Sequence, residues 1–483
     1  MKWKKLIRNI SELNNPFFPD KKEIKGITDN SREVGEGYVF VAVEGFSVDG
    51  HDYIKEAVEK GAAVVIGQQS INKINRPYIK VENSRKILGQ LAASFYGYPS
   101  KNKVVIGVTG TNRKTTTGLF LRHLLKRKGY SVSFFGTVFN EINGEETKSQ
   151  TTTPSSLMIQ KSLAESDDQV AVIEVSSQGL SQYRMEGMSF DYALFTNLQH
   201  DHLDYHQSME DYFQAKKELF SLLKVSGTAV VNEVDEWGRR LSKLLREEDK
   251  RVITVGEDDQ NVVYHMKNNG HGVCVMENNT YEIELPLPGK YNLANLALGL
   301  TVLNDMQHDL SGISNIMRGI GPLPGRFETY DLSNKVYGIV DYAHTTEALQ
   351  ALFTTIRESH GDYRIIHIFG FRGQRDSTKR DKMVDISRSY CDETILTLDD
   401  LNGVSVDIMK AEYEKQQQRY SEATIKVILD RTRAIEKTVN TASQKTLIVV
   451  SGKGHENYQQ AFELSSTSDK ETFELLSIKT ANI

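Results

Sequence analysis

Cysteine is scarce in this 483-residue chain: only Cys274 and Cys391 occur, far apart and in no C-x-x-C pair. That excludes a disulfide framework and a cysteine zinc site, and a reducing compartment is the simple reading. Positive charge is not in excess either. The formal net charge of −5 argues against a general nucleic-acid binder, which needs basic groups to release counterions. Long hydrophobic runs are missing: no stretch approaches the roughly 20 apolar residues that span a bilayer. The basic start, MKWKKLIRNISEL, lacks the apolar segment of a secretory signal. A cytoplasmic monomer with small-molecule substrates, and with neither nucleic acid nor membrane as partner, is the expectation. What is present is ordinary globular material, 39% apolar and 25% charged, and the length allows about three domains.

The most informative stretch runs from Val104 to Gly129, VVIGVTGTNRKTTTGLFLRHLLKRKG. Val104 to Val108 is a short β-branched run that suits a buried parallel strand. Gly107 and Gly110 are expected to break it into a loop. Lys114, Thr115 and Thr116 follow, and then Leu121, Leu124 and Leu125 at helical spacing, with Gly129 as a stop. Strand, glycine loop, Lys-Thr and helix form a phosphate cradle. Loop N–H groups and the helix N-terminus face the anion, the lysine meets the terminal phosphates and the threonine hydroxyl holds Mg²⁺. The match to G-x-x-x-x-G-K-[ST] is incomplete, because Arg113 stands at the second glycine.

The remaining chain reads as α/β throughout. Residues 1–100 alternate short strands with helices and carry no phosphate loop. Residues 101–325 hold the cradle. They also hold the strand Val170–Val175 with Glu174 near its C-terminal end, where open α/β sheets place ligand groups. A second strand, Tyr192–Thr196, leads into Asn197-Leu198-Gln199-His200-Asp201-His202-Leu203-Asp204, a cluster that suits a metal or phosphate site or simply a polar loop. Residues 326–483 alternate strands at 336–340, 364–369, 393–398 and 446–450 with helical stretches, a Rossmann-like parallel sheet without its G-x-G-x-x-G fingerprint.

Several strings match one family. VTGTN-x-KTTT resembles the GTNGKT loop of the Mur ligases. EVSSQGLSQYRM and TNLQHDHLDYHQSMEDYFQAKKELF resemble that family's E-V-S-S-H-G-L and DHLDYH…AK regions, with Gln178 replacing His. DYAH (Asp341–His344), GFRGQRDSTKR and SGKGHENYQ resemble C-terminal motifs, with Arg372 replacing a small residue and Gln374 replacing Asp. The resemblance covers nearly the whole chain in collinear order, and GKGHE with DHLDYH and AK selects the UDP-N-acetylmuramoyl-tripeptide synthetase branch. It implies a three-domain Mur ligase architecture: an N-terminal UDP-substrate domain, a central ATP-binding domain with a P-loop-type parallel sheet, and a Rossmann-like C-terminal domain for the amino acid.

The resemblance also implies roles. ATP falls to Gly110, Thr111, Asn112, Lys114, Thr115, Thr116, Asn292, Asn295, Arg326, Asp341 and His344. Mg²⁺ falls to Thr115, Glu174, His202 and Lys216, the last as a carbamylated lysine. The UDP-muramoyl peptide falls to Ser31, Thr152, Thr153, Ser176, Gln182 and Arg184, with an Asp49-Gly50-His51 turn helping at the UDP end. The incoming amino acid falls to Arg375, Asp399, Asp400, Asn402, Gly452 and Glu456.

The activity implied is ATP-dependent addition of the third amino acid to UDP-N-acetylmuramoyl-L-alanyl-D-glutamate, through an acyl phosphate, in peptidoglycan synthesis. Arg113, Gln178, Arg372 and Gln374 leave two alternatives: a divergent ligase with another acceptor, or a non-catalytic binding paralogue. The amino acid itself is left open. Diaminopimelate-adding members carry Asp-Asn-Pro-Arg where this chain has Asp399-Asp400-Leu401-Asn402. With the Arg missing, Asp399 and Asp400 are expected to form an acidic rim that suits lysine, ornithine or a smaller side chain at least as well as diaminopimelate.

Overall fold

The computed structural model describes residues 1–14, 22–45, 48–71, 74–268, 270–277, 279–333, 335–420, 425–442 and 445–481. Three sheets divide it. The N-terminal sheet has four strands, Gly26–Thr28, Tyr38–Val41, Val64–Gly67 and Tyr78–Lys80, paired in parallel in sequence order. Val39, Phe40, Val64, Val65 and Ile66 are fully buried, as expected of short apolar strands covered on both faces.

The central sheet has eleven strands. Its parallel heart comprises β1 (Val104–Thr109), β2 (Val132–Phe135), β3 (Val170–Glu174), β4 (Phe190–Phe195), β5 (Leu223–Asn232) and β6 (Arg251–Gly256), in the order β6-β5-β4-β1-β3-β2. Gly107 does not break β1; it stays in the strand, where an added Cβ would lie 2.9 Å from the Phe190 ring. The residue is small because the neighbouring side chain fills that space. The loop begins at Gly110, whose missing side chain lets the Thr196 hydroxyl approach to where a Cβ would be 1.9 Å away.

Two additions lie beyond the parallel heart. The hairpin Phe139–Ile142/Glu145–Lys148 extends one edge, and Val262–Asn268, His271–Met276 and Asn279–Glu284 extend the other. Helices α1 (Lys114–Arg127) and α3 (Lys290–Asp305) pack together on one face through Leu121, Leu124 and the close approach of Gly299. Helix α2 (Met209–Ser221) packs on the opposite side and buries Tyr212, Phe213 and Lys216.

The C-terminal sheet has six strands, β7 (Glu328–Ser333), β8 (Val336–Asp341), β9 (Arg364–Phe369), β10 (Glu393–Leu396), β11 (Ile425–Val427) and β12 (Thr446–Ser451), ordered β7-β8-β12-β9-β10-β11. Only β7 runs antiparallel to its neighbour. Helices α4 (Arg431–Thr441) and α5 (Asp469–Ala481) meet through the Arg431–Asp469 ion pair, in which both side chains are fully buried. Arg431 Nη2 also donates to the Ser451 carbonyl at the end of β12 (2.9 Å), so this pair anchors the strand that carries the GKGHE turn.

No described helix is long and apolar enough to cross a membrane. Cys274 and Cys391 are both free and buried.

Breaking a buried pair from one side strands the remaining charge. Asp469→Ala is therefore expected to cost about 3–5 kcal/mol, seen in scanning calorimetry as an earlier melting C-terminal unit.

Candidate active site

The three sheets face a common trench. Its deeper part, a cavity of about 600 Å³, is lined by the phosphate loop and by His202, Lys216, Tyr291, Asn292, Asn295, Arg326, Tyr342, Arg372 and Glu456, among others. A second cavity of about 380 Å³ runs toward the N-terminal sheet, with Asp29, Arg85 and Gln182 in its walls. The two share Lys148, Ser149, Gln150, Thr151 and Arg184.

The phosphate loop is built from β1 and α1. Thr111 N donates to Asn197 O (2.9 Å) and Asn112 N to Asn197 Oδ1 (3.0 Å), so these amides are spent on the neighbouring loop. The first intrahelical donor is Thr117 N, to Arg113 O. That leaves the amides of Lys114, Thr115 and Thr116 as the helix-terminal donors that an anion would meet. Arg113 caps the helix at φ 75°, in the left-handed region. That is the conformation a glycine would adopt without cost, and here an arginine holds it. The guanidinium lies 5.8 Å from the centre of the Tyr291 ring.

Two ammonium groups converge on one oxygen. Lys114 Nζ donates to Gly110 O (2.8 Å) and Thr111 O (2.9 Å), and Lys216 Nζ donates to the same Gly110 O (2.8 Å). Burial lowers Lys114 to about 8. Lys216 falls well below the usual lysine range, first through burial and then through repulsion from Lys114. A lysine pushed down this far has access to its neutral, nucleophilic amine.

Below them Glu174 is caged. One oxygen accepts from Thr137 N (3.0 Å), the other from Thr115 Oγ1 (2.8 Å) and Thr137 Oγ1 (2.9 Å). Burial raises its carboxyl above the ordinary value. His202 sits at φ 55°, a strained conformation for a non-glycine residue. Burial drops its imidazole to about 4, so it is neutral at physiological pH and able to donate a lone pair.

The hydroxyl and carboxylate oxygens suit a hard divalent cation that keeps waters and phosphate oxygens in its shell, with the neutral imidazole as the softer member of the set. No three His, Cys, Asp or Glu side chains converge as a metal cage among the described residues. The nucleotide side also has an open position: Asn295 Oδ1 is buried without a hydrogen-bond partner, although Asn295 Nδ2 donates to Asn292 Oδ1 (3.3 Å).

The C-terminal domain closes onto the loop through polar contacts. Asn112 Nδ2 donates to Thr345 Oγ1 (3.1 Å), Arg326 Nη2 to Thr115 Oγ1 (3.2 Å), Lys379 Nζ to Asp201 Oδ1 (2.8 Å) and Arg375 Nη1 to Asp204 Oδ2 (3.1 Å). His344 Nε2 lies 3.4 Å from Asp201 Oδ2. Asp341 is occupied by backbone, accepting from Phe327 N and Ala343 N.

The expected substrate residues divide. Thr152, Thr153, Ser176 and Arg184 line the deeper cavity, and Arg184 Nη1 is tied to Thr153 O (2.5 Å). Ser31 reaches neither cavity; its hydroxyl donates to Glu56 Oε2 (2.7 Å). His51 is buried against Asp49 Oδ1 (2.6 Å) and accepts from Gln68 N (2.9 Å), so that turn is tied up internally.

The acidic rim does not exist as expected. Asp399 and Asp400 are 2% and 6% exposed, and Lys453 Nζ sits 3.6 Å from one and 2.5 Å from the other. Lys453, itself buried, pairs with Asp400 and lies near Asp399, which Arg372 Nε also approaches at 3.7 Å, so the two carboxylates are engaged inside the domain, something no local spacing reveals. Asn402 ties the loop to Gly373 O (3.0 Å) rather than lining the cavity. Sequence reading missed Thr137, Tyr291 and Lys379 as site residues, the last with a signal in the DSTKR string; Asp201 it held only within the cluster after the second strand, as a metal or phosphate site or a polar loop, where the structure pairs it with Lys379.

The family model described as the Mur ligase middle domain matches residues 108–303, the glutamate ligase domain model matches 325–454, and the Mur ligase family catalytic domain model matches 23–96. The chain belongs to the Mur ligase family. Among Mur ligase relatives, a UDP-N-acetylmuramoyl-L-alanyl-D-glutamate–2,6-diaminopimelate ligase of Fusobacterium nucleatum is 36% identical over 450 residues, covering 90% of each chain. One of the same name from Aquifex aeolicus is 36% identical over 456 residues, covering 91% of this chain and 90% of its own. In fold, the chain superposes on a solved structure of a ligase of that name with a TM-score of 0.70 at 24% identity, covering 100% of this chain and 99% of that one. It superposes on the Thermotoga maritima MurF ligase in complex with ADP with a TM-score of 0.67 at 20% identity, covering 95% and 99%.

Relieving the left-handed strain at residue 113 gains about 1–2 kcal/mol, and losing the contact with Tyr291 costs about 0.5–1 kcal/mol. Arg113→Gly is therefore expected to leave stability within about 1 kcal/mol of the parent. Arg113→Val, β-branched at the same φ, should destabilise clearly. Denaturant unfolding of the two variants distinguishes them.

Proposed function

We propose that this Mur ligase joins an amino acid to the terminal carboxylate of UDP-N-acetylmuramoyl-L-alanyl-D-glutamate at the expense of ATP, the third-residue step of peptidoglycan precursor synthesis. The observation that carries it is the convergence of Lys114 and Lys216 on the Gly110 carbonyl at the N-terminus of α1. Among the described residues Lys114 donates to backbone carbonyls, so its charge and the free amides of α1 are left for a polyphosphate to answer, while Lys216, lowered by burial and by Lys114, is left as the amine that is modified.

Lys114 and the amides of α1 bind the transferring phosphoryl group, and Arg326 approaches from the C-terminal domain. Asn292 and Asn295 receive the base; the unpartnered Asn295 Oδ1 accepts from an exocyclic amine. The substrate carboxylate attacks the γ-phosphate to give an acyl phosphate and ADP. The amine of the incoming amino acid then attacks the acyl carbon, and phosphate leaves. The interdomain contacts of Asn112, Asp201 and Asp204 keep water from the acyl phosphate and align the amine.

Lys216 in its neutral form attacks CO₂: an N–C bond forms, a proton leaves nitrogen for solvent, and an anionic carbamate replaces the ammonium. Thr115, Glu174, His202 and this carbamate would hold Mg²⁺, whose charge offsets that of the transferring phosphoryl group. The muramoyl peptide lies along Thr152, Thr153, Ser176 and Arg184, with the nucleotide end toward Arg85 and Asp29.

ADP release should require both the UDP-dipeptide and an amino acid; nucleotide-sugar binding without turnover would instead favour a non-catalytic paralogue. Lys114→Ala and Lys216→Ala should each lower turnover by about 10²–10³, and formate should partly restore Lys216→Ala.

Protonation gives a second test. Lys114 titrates near 8 in the free protein, and a bound polyphosphate raises that value. Between pH 8 and about 10, ATP binding should therefore take up a proton. Calorimetric titration in two buffers of different ionisation heat reads its sign, and proton release would contradict the assignment.

A further inference from the structure

Arg113 stands where the family's phosphate loop has glycine. It holds the left-handed φ of 75° that suits glycine, so this chain keeps a side chain where the backbone disfavours one. Strain of this kind persists only where the surroundings impose it, and it concentrates at functional sites.

The neighbouring cations are spent. Lys114 and Lys216 donate to the Gly110 carbonyl and Arg326 to the Thr115 hydroxyl. Arg113 makes no hydrogen bond or ion pair among the described residues; its guanidinium only faces the Tyr291 ring. The carboxylate whose charge acts on it, Asp235, lies beyond ion-pair distance and accepts from Leu198 N (3.0 Å) and Gly238 N (2.8 Å). Glu257, which acts on Tyr264 beside it, is paired with Lys290 (2.5 Å). Burial pulls the Arg113 pKa down. A guanidinium keeps its proton in a protein, so this one has lost water and gained no acceptor. It is half-buried and lines the deeper cavity.

The same cavity wall carries Lys114, Thr115 and Thr116 on one side of Arg113 and Tyr291, Asn292 and Asn295 on the other. A nucleotide with its terminal phosphates at Lys114 and its base at Asn292 and Asn295 has to run its phosphate chain past the guanidinium.

We propose that Arg113 is a nucleotide-binding residue peculiar to this chain, its guanidinium donating to the phosphate chain of ATP between the base and the transferring phosphoryl group. This rests on the ligase reading given above, which places the two ends of the nucleotide. A planar fork of donors meets two phosphate oxygens at once, as an ammonium cannot. The residue that breaks the loop pattern thus adds a contact to the cradle.

The test is direct binding of ADP and of inorganic tripolyphosphate, each with Mg²⁺, by calorimetric titration. Tripolyphosphate has the phosphate chain and no base. Arg113→Asn removes the charge and tolerates the left-handed backbone; Arg113→Gly restores the family residue and relieves the strain. Both should weaken both probes by about tenfold to a hundredfold, and Arg113→Lys should recover part of the loss. A loss for ADP alone would set the arginine against the base and overturn the assignment. Unchanged or tighter binding by Arg113→Gly would make the side chain a bystander or an obstruction and also overturns it, with the ligase reading intact so long as Lys114→Ala weakens ADP in the same titration. A parent protein that binds neither probe overturns both.

Discussion

The architecture turns on one electrostatic constraint: two lysines buried at the N-terminus of a helix, both donating to the carbonyl of Gly110. A helix N-terminus is already positive, and burial in a low-dielectric site makes each further cation costly. Lys114 and Lys216 respond by titrating low. Such an arrangement is poorly suited to an empty protein and well suited to one that receives phosphate. Chain features far from the loop serve it. Gly110 has no side chain, so Thr196 can support the loop; Asn197 holds the loop amides; and Thr137 with Thr115 keeps Glu174 fixed beneath it.

The same constraint explains the form of the domain contacts. Around the phosphate loop the C-terminal domain meets the central one through single polar pairs, such as Asn112 with Thr345 and Lys379 with Asp201. Contacts of this kind are specific in geometry and modest in energy, as needed where a site must open to admit three substrates and close to exclude water. The C-terminal domain brings its own rigidity from within. The Arg431–Asp469 pair reaches the end of β12, and Lys453 sits under Asp399 and Asp400 just beyond it. The GKGHE turn is therefore held from behind by buried charge, while its front, Gly452 and Glu456, is engaged by Arg372.

Much of this was legible in the order of residues. The strand before the loop, the lysine and threonines that start α1, the carboxylate at the end of β3 and the alternation of strand and helix in the third domain all follow from local pattern. Apolar β-branched runs and helical leucine spacing act over a few residues. The loop motifs were legible because phosphate chemistry demands particular residue types at short spacing. The hairpin at 139–148 and the strands at 262–284 were not read, because their half-exposed residues carry weak periodicity and gain their order from the sheet edges they join. Gly107 was misread as a breaker for the same reason: only the facing Phe190 ring explains it.

By itself the sequence determined the α/β class, the phosphate loop and the residues whose chemistry is available there, since these depend on neighbours in the chain. Tertiary structure alone decided what each charge meets. It placed Lys216, 106 positions from Gly110, on the same carbonyl as Lys114. It spent Ser31 on Glu56 and His51 on the backbone, and it set Lys453 against the aspartates that local spacing left as an open rim. The physical reason is that the state of an ionisable group depends on burial and on partners within a few ångströms, and for most groups in this site those partners are distant in the chain.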